Sequence, residues 1–141
     1  MGNHKPSASE NLKPIEILLV EDDNTLRTQI VRVLQKRGLR VSNAENGLEA
    51  KQMFIDSPSR FDLIISDVDM PGMTGVELLE FVRSSSEIPF IAMTGHSDLI
   101  ATRNAYSMGA TEFLPKPVST EALLEAISHS LNPPEAKPIK A

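Results

Sequence analysis

Residues 15–38 read IEILLVEDDNTLRTQIVRVLQKRG, and this stretch holds the repeating unit on which the fold turns. Ile15–Val20 is a short, nearly continuous apolar run, the pattern of a strand covered on both faces. Three acids, Glu21, Asp22 and Asp23, follow it directly. From Asn24 to Arg37 the apolar residues Leu26, Ile30, Val33 and Leu34 recur at helical spacing, and Gly38 stops the helix just past its basic end. The same order then repeats. Leu39–Ala44 predicts a second strand, interrupted by Ser42 and Asn43, and Asn46 with Glu49 forms a capping pair for a helix carrying Leu48, Met53 and Phe54. Phe61–Ser66 predicts the third strand, and Thr74 with Glu77 a capping box for a helix through about Arg83 with Leu78, Leu79 and Val82 inward. Pro89–Met93 is the fourth strand, and Ser97 with Asp98 caps a helix ending before Gly109. Thr111–Leu114 is a short fifth strand, and Ser119–Leu131 a last helix with Leu123, Leu124 and Ile127 on its buried side.

Strict alternation of strands and helices over short connections implies an α/β fold with a parallel sheet and helices on both faces. Five such units predict a doubly wound, flavodoxin-like (βα)5 sheet of strand order 2-1-3-4-5. A closed eight-unit barrel needs far more chain than these 141 residues.

Composition narrows the chemistry. The chain has no cysteine, which removes disulfides, thiolate metal sites and cysteine nucleophiles together. Its formal charge is −5, and residues 15–131 hold 10 of the 14 basic and 17 of the 19 acidic side chains, a local net charge of −7. That balance argues against a direct nucleic-acid footprint. Residues 1–14 are polar and predict a disordered extension without a signal-peptide core, and Pro6 breaks the myristoylation pattern that Met1-Gly2 would start. No window reaches the roughly eighteen apolar residues of a membrane span, so a cytoplasmic protein is expected. Residues 132–141 contain three prolines and read as a tail or linker, leaving 15–131 as the single expected domain.

In open α/β sheets, sites form at the carboxyl ends of the strands near the switch in strand order. Just past strand 1 stand Glu21, Asp22 and Asp23; past strand 3, Asp67 and Asp69; past strand 4, Thr94; past strand 5, Lys116-Pro117. In the predicted order these groups share one rim. Carboxylates crowded together repel unless a cation intervenes. An all-oxygen set without His or Cys suits Mg²⁺ or Mn²⁺. A cation, a Lys, a hydroxyl and a carboxylate nucleophile are what phosphoryl transfer to Asp67 would require. Singly, most of these residues have plainer readings: Asp23 and Asp98 as helix caps, His96 as a solvated loop residue, the internal methionines as core.

The set resembles the receiver domain of two-component response regulators, of the chemotaxis-type single-domain kind. The residues that carry the resemblance are LLVEDD with Glu21 and Asp22 as the acid pair, SDVDMPGMTG with Asp67, AMTG with Thr94, and FLPKP with Phe113, Lys116 and Pro117. The likeness implies that Asp67 is the phosphoacceptor and that Mg²⁺ is held by Asp22 and Asp67, by the backbone carbonyl of Asp69, and by Glu21 through water. It implies that Thr94 and Lys116 bind the phosphoryl group, and that Thr94 and Phe113 act as the switch. Pro71, Gly75 and Pro117 would have structural roles, the last after a cis Lys–Pro peptide. Slipping the acid pair to Asp22–Asp23 is an alternative that Leu26, as first buried helix position, disfavours. Glu21 stands where Asp is common, Asp69 where Asn or an apolar residue is common, and Phe113 where Tyr would bring a hydroxyl. Gly95 leaves the rim beside Thr94 open.

By the same resemblance the chain is a phosphorelay regulator rather than an enzyme, at most catalysing its own aspartyl phosphorylation and dephosphorylation. The expected donor is a histidine kinase or a histidine phosphotransfer protein. Readout is expected at the face of helix 4, strand 5 and helix 5, by a partner or by an output domain beyond these residues, and the chain is expected to be a monomer or a weak dimer through that face. Two other functions compete. Asp67-Val68-Asp69 mimics the nucleophile motif of haloacid-dehalogenase-like phosphatases, although that motif normally follows a first strand. A degenerate receiver serving as a binding module is the other.

Overall fold

Near-unbroken burial along the three central strands shows how the sheet of the computed structural model, which describes residues 14–95 and 106–132, sits between two helical layers. In chain order the described elements are β1 Glu16–Val20, α1 Asn24–Lys36, β2 Arg40–Ala44, α2 Gly47–Asp56, β3 Leu63–Asp67, α3 Gly75–Arg83, β4 Phe90–Thr94, β5 Glu112–Pro115 and α4 Thr120–Leu131. The helix expected from Ser97 lies, up to residue 105, outside the described residues, as do His96 and Asp98.

All strand pairs are parallel, in the order β2-β1-β3-β4-β5. This is the flavodoxin-like arrangement that the sequence predicts. Ile17 and Leu19 of β1, Leu63 and Ile65 of β3, and Ile91 and Met93 of β4 face one side, against Ile30 and Leu34 of α1 and Leu123, Ala126 and Ile127 of α4. Leu18, Val20, Ile64, Phe90 and Ala92 face the other, against Ala50 and Phe54 of α2 and Leu78, Leu79 and Val82 of α3. Each fully buried aliphatic side chain contributes about 1.5–3 kcal/mol by leaving water.

The helix starts follow the capping residues. Asp23 caps α1 by accepting from the backbone N–H groups of Thr25 and Leu26. Thr74 and Glu77 form the reciprocal box that opens α3. At α2 the pair is offset: Asn46 accepts from Glu49 N–H, but the Glu49 carboxylate reaches back one residue further, to Glu45 N–H. Leu48 differs from the apolar pattern, lying 57 % exposed in the first turn of α2.

Register sets the site. Val20 aligns with Ser66, Asp67 with Met93, and Thr94 with Pro115. The residues just beyond these, Glu21, Asp67, Thr94 and Lys116, therefore end four neighbouring strands at one edge.

Candidate functional site

Asp67 is the last residue of β3, the middle strand, and only 3 % exposed. One carboxylate oxygen, Oδ1, accepts from the Asp69 N–H at 3.0 Å. The other, Oδ2, accepts from Lys116 Nζ at 2.9 Å. Lys116 reaches it from the loop after β5, where the Lys116–Pro117 peptide is cis. The same ammonium lies 3.0 Å from Glu21 Oε1, an ion pair whose alignment falls short of a hydrogen bond. One cation thus serves two buried carboxylates.

Glu21 is fully buried, while Asp22 beside it is exposed. Glu21 Oε2 accepts from the Asp23 N–H at 3.0 Å. Oxygens from Glu21, Asp22 and Asp67 all lie within 4.8 Å of one another. Asp23 is spent on capping α1, and the carboxylates that cluster with Asp67 are those of Glu21 and Asp22.

Burial pushes the Glu21 carboxyl above the ordinary glutamate range; the Asp23 N–H and Lys116 pull it back, and the Asp67 charge adds to the rise. Burial alone would lower Lys116, but the Asp67 and Glu21 carboxylates outweigh it and its ammonium is held more firmly than usual. Both directions follow from one Lys shared between two acids. Because Glu21 ionises less readily in the folded chain, its stabilising contribution is complete below its ordinary value of 4.5 and is lost as pH rises through the raised folded value. Glu21→Gln should therefore melt at a higher temperature than wild type at pH 7 in the absence of divalent cations, the two converging in acid. Thermal denaturation across pH measures this; a variant less stable at neutral pH would contradict it.

Thr94 closes β4 and is 1 % exposed, and its hydroxyl donates to Asp69 Oδ2 at 3.1 Å. Phe113 is half-buried on β5, aligned with Ala92, its ring centroid 6.2 Å from that of Tyr106. Pro71 and Pro117 are exposed at the rim. Gly75 opens α3 directly under the site: a Cβ there would stand 2.1 Å from the Asp67 carbonyl oxygen.

One residue at the site does not stand out by its type. Arg27 lies on α1, where its charge reads as part of a solvated face, yet it is 8 % exposed. Its guanidinium donates to the Glu21 carbonyl at 2.7 Å and to Asn24 Oδ1 at 2.5 Å, fixing the backbone that presents the acid pair. Its spacing, three and seven residues before the buried Ile30 and Leu34, is the signal that the sequence carries.

The model of the response regulator receiver domain matches residues 17–128. The chain belongs to this family. The DNA-binding transcriptional regulator NtrC of Escherichia coli K12 is 39 % identical over 118 residues, covering 80 % of this chain and 25 % of that protein. The two-component response regulator ARR10 of Arabidopsis thaliana is 32 % identical over 127 residues, covering 90 % of this chain and 23 % of that protein. This receiver chain therefore spans a quarter or less of the curated relatives it matches. Among solved structures, the Vibrio cholerae chemotaxis protein CheY4 superposes with a TM-score of 0.78 at 34 % identity, over 84 % of this chain and 100 % of that one. Receiver domains are regulators that bind Mg²⁺ at an acidic pocket, and this receiver carries such an acidic cluster in Glu21, Asp22 and Asp67. Family membership displaces the phosphatase alternative. Among the described residues no helix is long and apolar enough to cross a membrane.

Proposed function

We propose that this receiver is a Mg²⁺-dependent phosphorylation switch in which Asp67 accepts a phosphoryl group from a histidine kinase or a histidine phosphotransfer protein. The observation that carries the reading is a buried carboxylate at the end of the central strand, gripped by Lys116 at 2.9 Å, with two further carboxylates within 4.8 Å. An oxygen of Asp67 attacks phosphorus, the P–N bond to the donor imidazole breaks with its electron pair passing to the ring, and an acyl phosphate forms.

The donor set fits a hard cation. Glu21 Oε1 is buried without an aligned hydrogen bond, and the surrounding oxygens outnumber the one ammonium. Asp22 and Asp67 would hold Mg²⁺, or Mn²⁺ in its place, with the Asp69 backbone carbonyl and with Glu21 through water. When bound, the ion neutralises charge gathering on the phosphoryl oxygens. Lys116 then exchanges Asp67 Oδ2 for a phosphoryl oxygen, and Thr94 donates its hydroxyl to another. Pro71 and Gly75 shape the loop under Asp67, and Pro117 the loop that carries Lys116.

Phosphorylation is read at the face of the helix expected from Ser97, β5 and the last helix, α4, with Phe113 following Thr94. Residues 15–131 form the receiver unit, residues 132–141 a proline-rich tail or linker, and the cytoplasm is the expected setting. The 36 % identity over 116 residues with the sensor kinase CckA of Brucella abortus supports a kinase-fed relay. The acidic balance of the unit argues against direct nucleic-acid contact.

Tyr106 supplies the test. It is the single tyrosine, the chain lacks tryptophan, and its ring touches the proposed switch residue Phe113. Acetyl phosphate added with Mg²⁺ should change Tyr106 emission with the time course of phosphoryl uptake. Full uptake without an emission change would remove Phe113 from the switch. No Mg²⁺ binding and no uptake would leave the binding-module reading.

A further inference from the structure

Asp69 joins the two halves of the proposed switch. Its backbone N–H donates to Asp67 Oδ1 at 3.0 Å, and its side-chain Oδ2 accepts the Thr94 hydroxyl at 3.1 Å. A hydroxyl has one proton to donate. While that proton is given to Asp69, it is not available to a phosphoryl oxygen on Asp67. An ionised acceptor also holds a donor about twice as strongly as a neutral one.

We infer that the Asp69 carboxylate is a positioning residue that holds Thr94 in the unswitched arrangement and so sets how far the switch is thrown. The inference rests on the phosphoacceptor reading above and deepens it, because the family likeness gives Asp69 only a backbone-carbonyl contact with Mg²⁺, whereas here its side chain has a role of its own. Phosphorylation has to move the Thr94 hydroxyl from one anion to another. The resting equilibrium therefore depends on the charge of the first. Asp69→Asn keeps the shape, the backbone N–H and the backbone carbonyl, and replaces an anionic acceptor by a neutral one. Asp69→Ala removes the acceptor altogether.

The experiment is relaxation-dispersion NMR on the Thr94 methyl group in the full chain without a phosphoryl donor, paired with intact mass after acetyl phosphate and Mg²⁺. In Asp69→Asn the minor, switched population of Thr94 should rise about five-fold over wild type, and in Asp69→Ala at least as far. A purely structural role for Asp69 would broaden signals generally and leave this two-state ratio unmoved. An unchanged ratio in both variants, with wild type fully phosphorylated, overturns the latch alone. Failure of wild type to gain a phosphoryl group overturns the phosphoacceptor reading and the latch with it.

Discussion

Asp67→Asn takes up no phosphoryl group from acetyl phosphate and Mg²⁺, while folding as well as wild type or better. The substitution keeps the side-chain shape and an oxygen to accept the Asp69 N–H, the contact made at 3.0 Å. Lys116 keeps its ion pair with Glu21 at 3.0 Å. An amide, however, is not a nucleophile that forms an acyl phosphate. It also withdraws a negative charge that contributes to raising the Glu21 carboxyl. Activity and stability should therefore move in opposite directions, a signature that a misfolded variant cannot give. Intact mass reads the first and thermal denaturation the second. Labelling equal to wild type would move the nucleophile to another residue.

Gly75→Ala is the second large effect, and it acts through the backbone. The new Cβ would stand 2.1 Å from the Asp67 carbonyl oxygen and 2.7 Å from Val68 Cα, both main-chain atoms that no rotamer change can move aside. The Gly75 N–H is also tied to the Val68 carbonyl at 3.0 Å, so α3 cannot retreat without losing that bond. Overpacking of this kind costs about 3 kcal/mol, which for a domain of this size lowers Tm by roughly 10 °C. Because the displaced segment carries Asp67 itself, phosphoryl uptake should slow even at temperatures where the variant is folded. Chemical denaturation and initial labelling rates measure the two effects; a variant within about 0.5 kcal/mol of wild type would show that the close approach is relaxed at no cost.

Much of this was legible in the chain. The apolar runs ending at Val20, Ser66 and Met93 belong to strands buried on both faces, so local composition and final position agree. Asp23 and Thr74 cap where they are expected to because capping depends on residues two or three positions away. Long-range partners were harder to read. The Arg27 contact with the Glu21 carbonyl depends on a chain reversal between β1 and α1, and a charged residue on a helix otherwise reads as solvated. The Asp69–Thr94 bond spans 25 positions and arises only once β3 and β4 lie side by side. Leu48 marks the opposite failure: helical spacing identifies a face, but the first turn of α2 leaves it 57 % exposed.

The residues at the rim also explain why the site is built at the expense of stability. Glu21 is buried beside Asp67 with one ammonium between them. Replacing such acids by neutral side chains removes unfavourable desolvation; the proposed phosphoacceptor role of Asp67 and the proposed cation site are what would keep both. Net charge alone does not disclose this, because most acids of the chain lie on exposed helix faces and turns.

The most direct test of the central claim is the intact mass of the wild-type chain followed over time with acetyl phosphate, with and without Mg²⁺, with peptide mapping of the product. The account predicts one phosphoryl group per chain, on Asp67, only when Mg²⁺ is present. A chain that remains unmodified, gains the group without Mg²⁺ at the same rate, or carries it on another residue would contradict it.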